Sequence, residues 1–161
     1  MKNPRFWIVM ALLVAGQFWL RPRLGDPRFA PDFILVAFLF LATRSRPAAG
    51  AAVGFLVGLL SDAVGPTAFG SAALAYTVVG YLAGLATALF VADNALVTGL
   101  FVLVAAWLRD LIQVLAGNQL RGGALLWQVF AGSPLAALTT AVLALVVFLV
   151  FRGWLGARRT T

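Results

Sequence analysis

Charged residues are too scarce and too far apart in this chain for it to fold with water on all sides. Residues 63–92 and 122–151 carry no Asp, Glu, Lys or Arg, and only 11% of the 161 residues are charged. A soluble domain has about a quarter of its residues charged and about half apolar; here 63% are hydrophobic. Such a chain needs an apolar solvent, and the long uncharged runs select a bilayer. With no Cys there is no disulfide framework, thiolate metal site or nucleophilic thiol. With no His, the commonest general base and metal ligand is missing as well. The net charge of +7 is spread between the apolar runs rather than gathered in a patch. It therefore reads as topology and attraction to anionic lipid, not as a nucleic-acid footprint.

Charge, Pro and Gly divide the chain into six apolar stretches, at about 6–20, 31–43, 47–60, 69–91, 95–115 and 134–151. They predict an all-α integral membrane protein, a single transmembrane domain over 1–161 with about six helices. A spanning helix needs about 20 residues, so the first three stretches are short. Each is expected to extend into its flanks and end on a snorkelling Arg. The basic start and the small residues Val14-Ala15-Gly16 resemble a signal peptide. The apolar sequence continues through Phe18-Trp19-Leu20, however, and the first stretch is expected to be kept as a span. Ser133-Pro134 is expected to open the sixth helix, with Ser as cap and Pro in the first position. Residues 120–131 hold Trp127 beside Gln128 in a run too short to cross, expected to be an interfacial helix or re-entrant turn.

Orientation follows the Lys/Arg distribution. With both termini cytoplasmic, the inner side holds Lys2, Arg5, Arg44, Arg46, Arg152, Arg158 and Arg159. The outer side holds Arg21, Arg23, Arg28 and Arg121. The excess favours both termini inside, with the three Arg of the first loop dissenting.

Two features stand out within the spans. Gly50, Gly54 and Gly58 recur at intervals of four, Asp62 follows at the same spacing, and Gly80 and Gly84 repeat the device beside Tyr81. Residues four apart wind slowly round a helix, and Gly stripes let backbones approach closely. The stripes either pack the chain's own helices or form a groove for a partner's transmembrane helix. Arg109, Asp110 and Gln113 make the fifth span polar and are expected to form a buried polar site or an outer-interface charge. Asp32 beside Pro31 suits the first turn of the second helix, where a carboxylate complements the dipole. Asp62 could be solvated at its helix end. An aspartate dyad, as in a signal peptidase, would need signatures around Asp62 and Asp110 that are not here. Phosphate loops are missing too, so no enzyme activity and no cofactor or metal is expected.

The run Arg46-Pro-Ala-Ala-Gly50, Gly54-Phe-Leu-Val-Gly58-Leu-Leu-Ser-Asp62, Phe69-Gly70-Ser-Ala-Ala-Leu74 and Gly80-Tyr81-Leu-Ala-Gly84 resembles the rod shape-determining protein MreD family. It covers about 40 residues; elsewhere the likeness is one of length, topology and the Pro31-Asp32 helix start. The resemblance implies a non-catalytic multi-pass scaffold of the bacterial inner membrane, within the cell-elongation machinery that controls shape and peptidoglycan synthesis. It further implies binding to MreC, which has one transmembrane helix, and through it links to MreB filaments and to RodA with its transpeptidase partner. Membrane lipids would be further partners. The alternative is a substrate-binding subunit of an energy-coupling-factor vitamin transporter, similar in its six-span plan. Ala11 and Ala15 resemble its docking pair, and Asp110, Gln113, Asn118, Gln119 and Trp127 could furnish an outer site.

Overall fold

In a computed structural model of the protein, residues 4–23, 30–65, 68–86, 94–117 and 123–155 are described, and among them all regular structure is helical. The helices are α1 (Pro4–Trp19), α2 (Phe33–Ala42), α3 (Pro47–Val64), α4 (Ser71–Leu85), α5 (Ala95–Gly117), the short α6 (Gly123–Trp127) and α7 (Ser133–Leu155). A 3-10 turn, Arg21–Arg23, follows α1, and a π turn, Gln128–Gly132, joins α6 to α7. Among the described residues, three helical segments are long and apolar enough to cross a membrane: Pro47–Val64, Ala95–Gly117 and Gln128–Phe151. Residues 87–91, the end expected for the fourth span, lie outside the described residues.

The shortest of the main helices is the most enclosed. Eight of the ten residues of α2 are buried, from Phe33 to Ala42, and it touches α1, α3, α4, α5 and α7. A helix that is apolar all round belongs inside a structure. The expected extension of this stretch into its flanks does not occur: Thr43 and Arg44 turn out of the helix. Ten residues rise only about 15 Å. A helix enclosed by other helices need not match the bilayer, because protein covers its ends. For α3 the extension does occur, through Asp62 to Val64.

The two glycine stripes meet each other. A Cβ on Gly50 would strike the Gly80 carbonyl, one on Gly54 the Tyr76 carbonyl, and one on Gly58 the Ala72 carbonyl. From the other side, Gly80 faces the Gly50 backbone and Gly84 faces Pro47. The α3–α4 contact is the most extensive among the described residues, and it is backbone against backbone. A partner's helix therefore has no access to these faces; the chain's own helices fill them. Tyr81, grouped with the stripe by sequence, lies about 100° round the helix from Gly80 and is half exposed.

The π turn has a local cause. Pro134 lacks an N–H, and its ring crowds the carbonyl of Phe130 four residues back, which a wider turn accommodates. The Trp107 indole donates to the Val129 carbonyl at 3.2 Å and ties this turn to α5. Residues 123–155 thus form one helical run rather than a separate interfacial piece and a fresh helix. Ser133 accordingly does not act as a cap: its Oγ is buried and has no hydrogen-bond partner among the described residues.

The close approach makes a direct forecast. Gly54→Ala should lower the stability of the detergent-solubilised protein by about 1–3 kcal/mol, the usual cost of overpacking. Ala52→Leu, on the exposed side of α3, should change little. Equal unfolding midpoints for both variants would contradict the backbone-to-backbone contact.

Candidate functional site

Two acidic residues sit in the interior and organise the polar groups around them. Asp62, 4% exposed, lies in the last turn of α3. Its Oδ2 accepts from the Gly70 and Ala73 backbone N–H groups at 3.0 and 2.9 Å, and its Oδ1 from Ala72 at 3.0 Å. These are donors of the first turn of α4, which have no partner within their own helix. Gly70 holds φ +97°, a conformation that costs a residue with a Cβ, and so offers no side chain to cap α4. Asp62 supplies the cap from the neighbouring helix and brings negative charge to the positive end of the α4 dipole. It is not solvated in a loop.

Asp32 does the same for α2 and more. Its Oδ1 accepts from the Leu35 N–H at 3.0 Å as the N-cap. Its Oδ2 pairs with Arg109 Nη2 of α5 at 2.9 Å and accepts from the Tyr76 hydroxyl of α4 at 3.4 Å. Its backbone N–H donates to Thr140 Oγ1 of α7 at 3.2 Å, and that hydroxyl donates to the Ala136 carbonyl at 2.8 Å. Tyr76 lies edge-on to Phe38, 5.3 Å between centroids, and beneath the Arg109 guanidinium at 5.5 Å. Burial holds the phenol in place while its face and hydroxyl both serve the ion pair.

Arg109, Asp110 and Gln113, which the sequence groups as a buried polar site, lie together on α5. Arg109 Nη1 donates to Gln113 Oε1 at 3.4 Å. Arg109 Nε stands 3.3 Å from Asp110 Oδ1 without hydrogen-bond alignment, so this contact is electrostatic. The stronger partner of Arg109 is Asp32, 77 residues earlier, which residue spacing on α5 could not reveal. The signal was present in chemical form: an Arg inside an apolar helix requires an acid, and Asp32 opens the most apolar helix in the chain. Among the described residues, Asp62 and Asp110 share no hydrogen-bond or ion-pair partner.

Beside the Asp32–Arg109 pair is a polar cavity of about 110 Å³, walled by Arg21, Asp110, Thr140 and the small residues Ala30, Ala106 and Ala137. Small-molecule sites occupy about 300–1,000 Å³. Of the residues expected to furnish an outer ligand site, Asn118 and Gln119 lie outside the described residues, and Trp127 is exposed. No group of His, Cys, Asp and Glu suited to holding a metal occurs among the described residues.

The arrangement is that of an all-helical membrane protein whose interior acids bind its own helix ends and its own arginine. Within that class the assignment is specific: the family described as rod shape-determining protein MreD matches residues 4–155, and the chain belongs to it. No curated protein and no solved structure matches the chain.

Losing one member of a buried pair costs about 3–5 kcal/mol, so Asp32→Ala should destabilise the solubilised protein by that order. Asp32→Ala combined with Arg109→Met should recover part of the loss, because no charge is then stranded. A double variant as unstable as the sum of the singles would show that the two groups act independently. Asp62→Ala, which orphans three α4 amides in a poorly hydrated site, should cost several kcal/mol; an unchanged SDS-unfolding midpoint would exclude the cross-helix cap.

Proposed function

We propose that the protein is a non-catalytic scaffold of the bacterial inner membrane, with six spans and both termini cytoplasmic, that serves the cell-elongation machinery. In this reading it binds the single transmembrane helix of an MreC-type partner and so bears on cell shape and peptidoglycan synthesis. MreB filaments, RodA and its transpeptidase are reached indirectly. Membership of the rod shape-determining family carries the proposal. The chemistry supports it: the Asp62 and Asp32 carboxylates are engaged by backbone amides and by Arg109, in roles that hold helices together. The small polar cavity lends no support to a vitamin-binding subunit.

The stripes being filled, the partner's helix needs another seat. The outer face of α3 fits best, since the main contacts of this helix are with α4 and α2. It presents Phe55, Leu56 and Leu60, each about half exposed or more. Large apolar side chains on an edge helix gain dispersion contacts when a second helix docks, the main drive for association within lipid along with hydrogen bonds.

The reading is tested by co-expression with the MreC-type partner and affinity purification from membranes. Phe55→Ala/Leu56→Ala/Leu60→Ala should reduce co-purification at least about tenfold, a loss of about 1.4 kcal/mol, without lowering the melting temperature. Full retention of the partner would move the seat to another face. A wild-type protein that retained no such partner would remove the scaffold reading itself.

A further inference from the structure

A second surface differs from the rest of the exterior. Between α1, the start of α2 and the second half of α7 runs a groove of about 370 Å³, lined almost wholly by apolar atoms of residues including Leu13, Gly16, Trp19, Phe33, Leu143 and Val147. Along α1 its lining extends from Val9 to Trp19, which at 1.5 Å per residue is about 15 Å. That is the depth of one leaflet of a hydrocarbon core about 30 Å thick. A narrow furrow of this length suits an acyl chain.

The end of the groove is cationic. The chain leaves α1 at Trp19 and enters the turn Arg21–Arg23. The Arg23 guanidinium stacks on the Trp19 ring at 4.2 Å, which fixes it over the groove's end. Arg21 instead lines the separate polar cavity, together with Asp32, Arg109 and Asp110. Arg23 forms no ion pair among the described residues. An arginine at the interfacial end of a leaflet-deep furrow, stacked on an amphipathic Trp that lines it, matches a headgroup phosphate above an acyl chain. It also accounts for one of the three first-loop arginines that dissent from the charge rule.

We propose that this groove binds an anionic glycerophospholipid, with one acyl chain along α1 and α7 and its phosphate against Arg23. The proposal is independent of the partner's seat on α3.

The test is native mass spectrometry of the purified protein after equilibration with equimolar dioleoyl-phosphatidylglycerol and dioleoyl-phosphatidylcholine. One adduct should predominate, with the anionic lipid preferred about fivefold, as expected of one arginine near an anionic headgroup. Arg23→Gln should bring the ratio towards one while leaving the adduct. Ala15→Phe, which fills the groove from an exposed position of α1, should remove the adduct and leave the melting temperature without lipid unchanged. Equal binding of the two lipids by the wild type, or an adduct that survives Ala15→Phe, would overturn the proposal. So would a stoichiometric polypeptide displaced by Ala15→Phe, since the groove would then hold a protein helix.

Discussion

Asp32 bonds to four helices at once, and the relative placement of those helices depends on it. One oxygen closes the first turn of α2, the other holds Arg109 of α5 and the Tyr76 hydroxyl of α4, and the backbone N–H reaches Thr140 of α7. A carboxylate engaged in this way is worth little as net stability compared with apolar packing of equal volume, but it is costly to mispair. In lipid that asymmetry is useful. Apolar helix faces gain little from leaving hydrocarbon for one another, so they discriminate poorly between right and wrong neighbours. A charge that finds its counter-charge in one arrangement alone discriminates well.

The same constraint explains the treatment of the remaining polar groups. The unpaired amides of α4 are met by Asp62, and threonine hydroxyls in the helices turn back on their own backbone. Thr43 donates to Leu39, Thr77 to Ala73 and Thr98 to Asn94, a habit of Ser and Thr in helices. The α3–α4 hairpin combines both devices: glycines bring the backbones together, and the carboxylate at the end of the stripe fixes the register in which they do so. A slip of one turn would take Asp62 away from the Gly70–Ala73 amides and set side chains against carbonyls.

Much of this was legible in the residues. The all-helical class, the membrane, the opening of α3 at Pro47 and the family followed from charge spacing and from the glycine run. Arg109, Asp110 and Gln113 are grouped on one helix by spacing alone. What spacing could not supply was the partner of anything across the bundle. Gly50 and Gly80 declare close approach to something without naming each other, and Arg109 declares a need for an acid without choosing between Asp110 and Asp32. The span rule also misjudged α2, because about 20 residues is a requirement of helices exposed to lipid, and α2 is covered by its neighbours. Ser133-Pro134 misled for a related reason. It has the composition of a helix start, yet the helix is already running upstream, and Pro134 produces a π turn instead.

A bundle specified in this way should respond to mutation differently from a soluble core. Trimming Leu39 or Val102 removes dispersion contacts but exposes no apolar surface to water, and lipid chains can follow the altered outline where they reach it. Adding one methyl group at Gly54 or Gly58 forces two backbones apart along the full α3–α4 seam, and with them the Asp62 cap. Small residues, a few carboxylates and the enclosed α2 therefore hold the architecture, while many large apolar side chains of the other helices face outward. That division suits a scaffold. The interior contacts that define the fold are finished within one chain, which leaves the exterior faces of α3 and of the α1–α7 groove for the helix and the lipid proposed above.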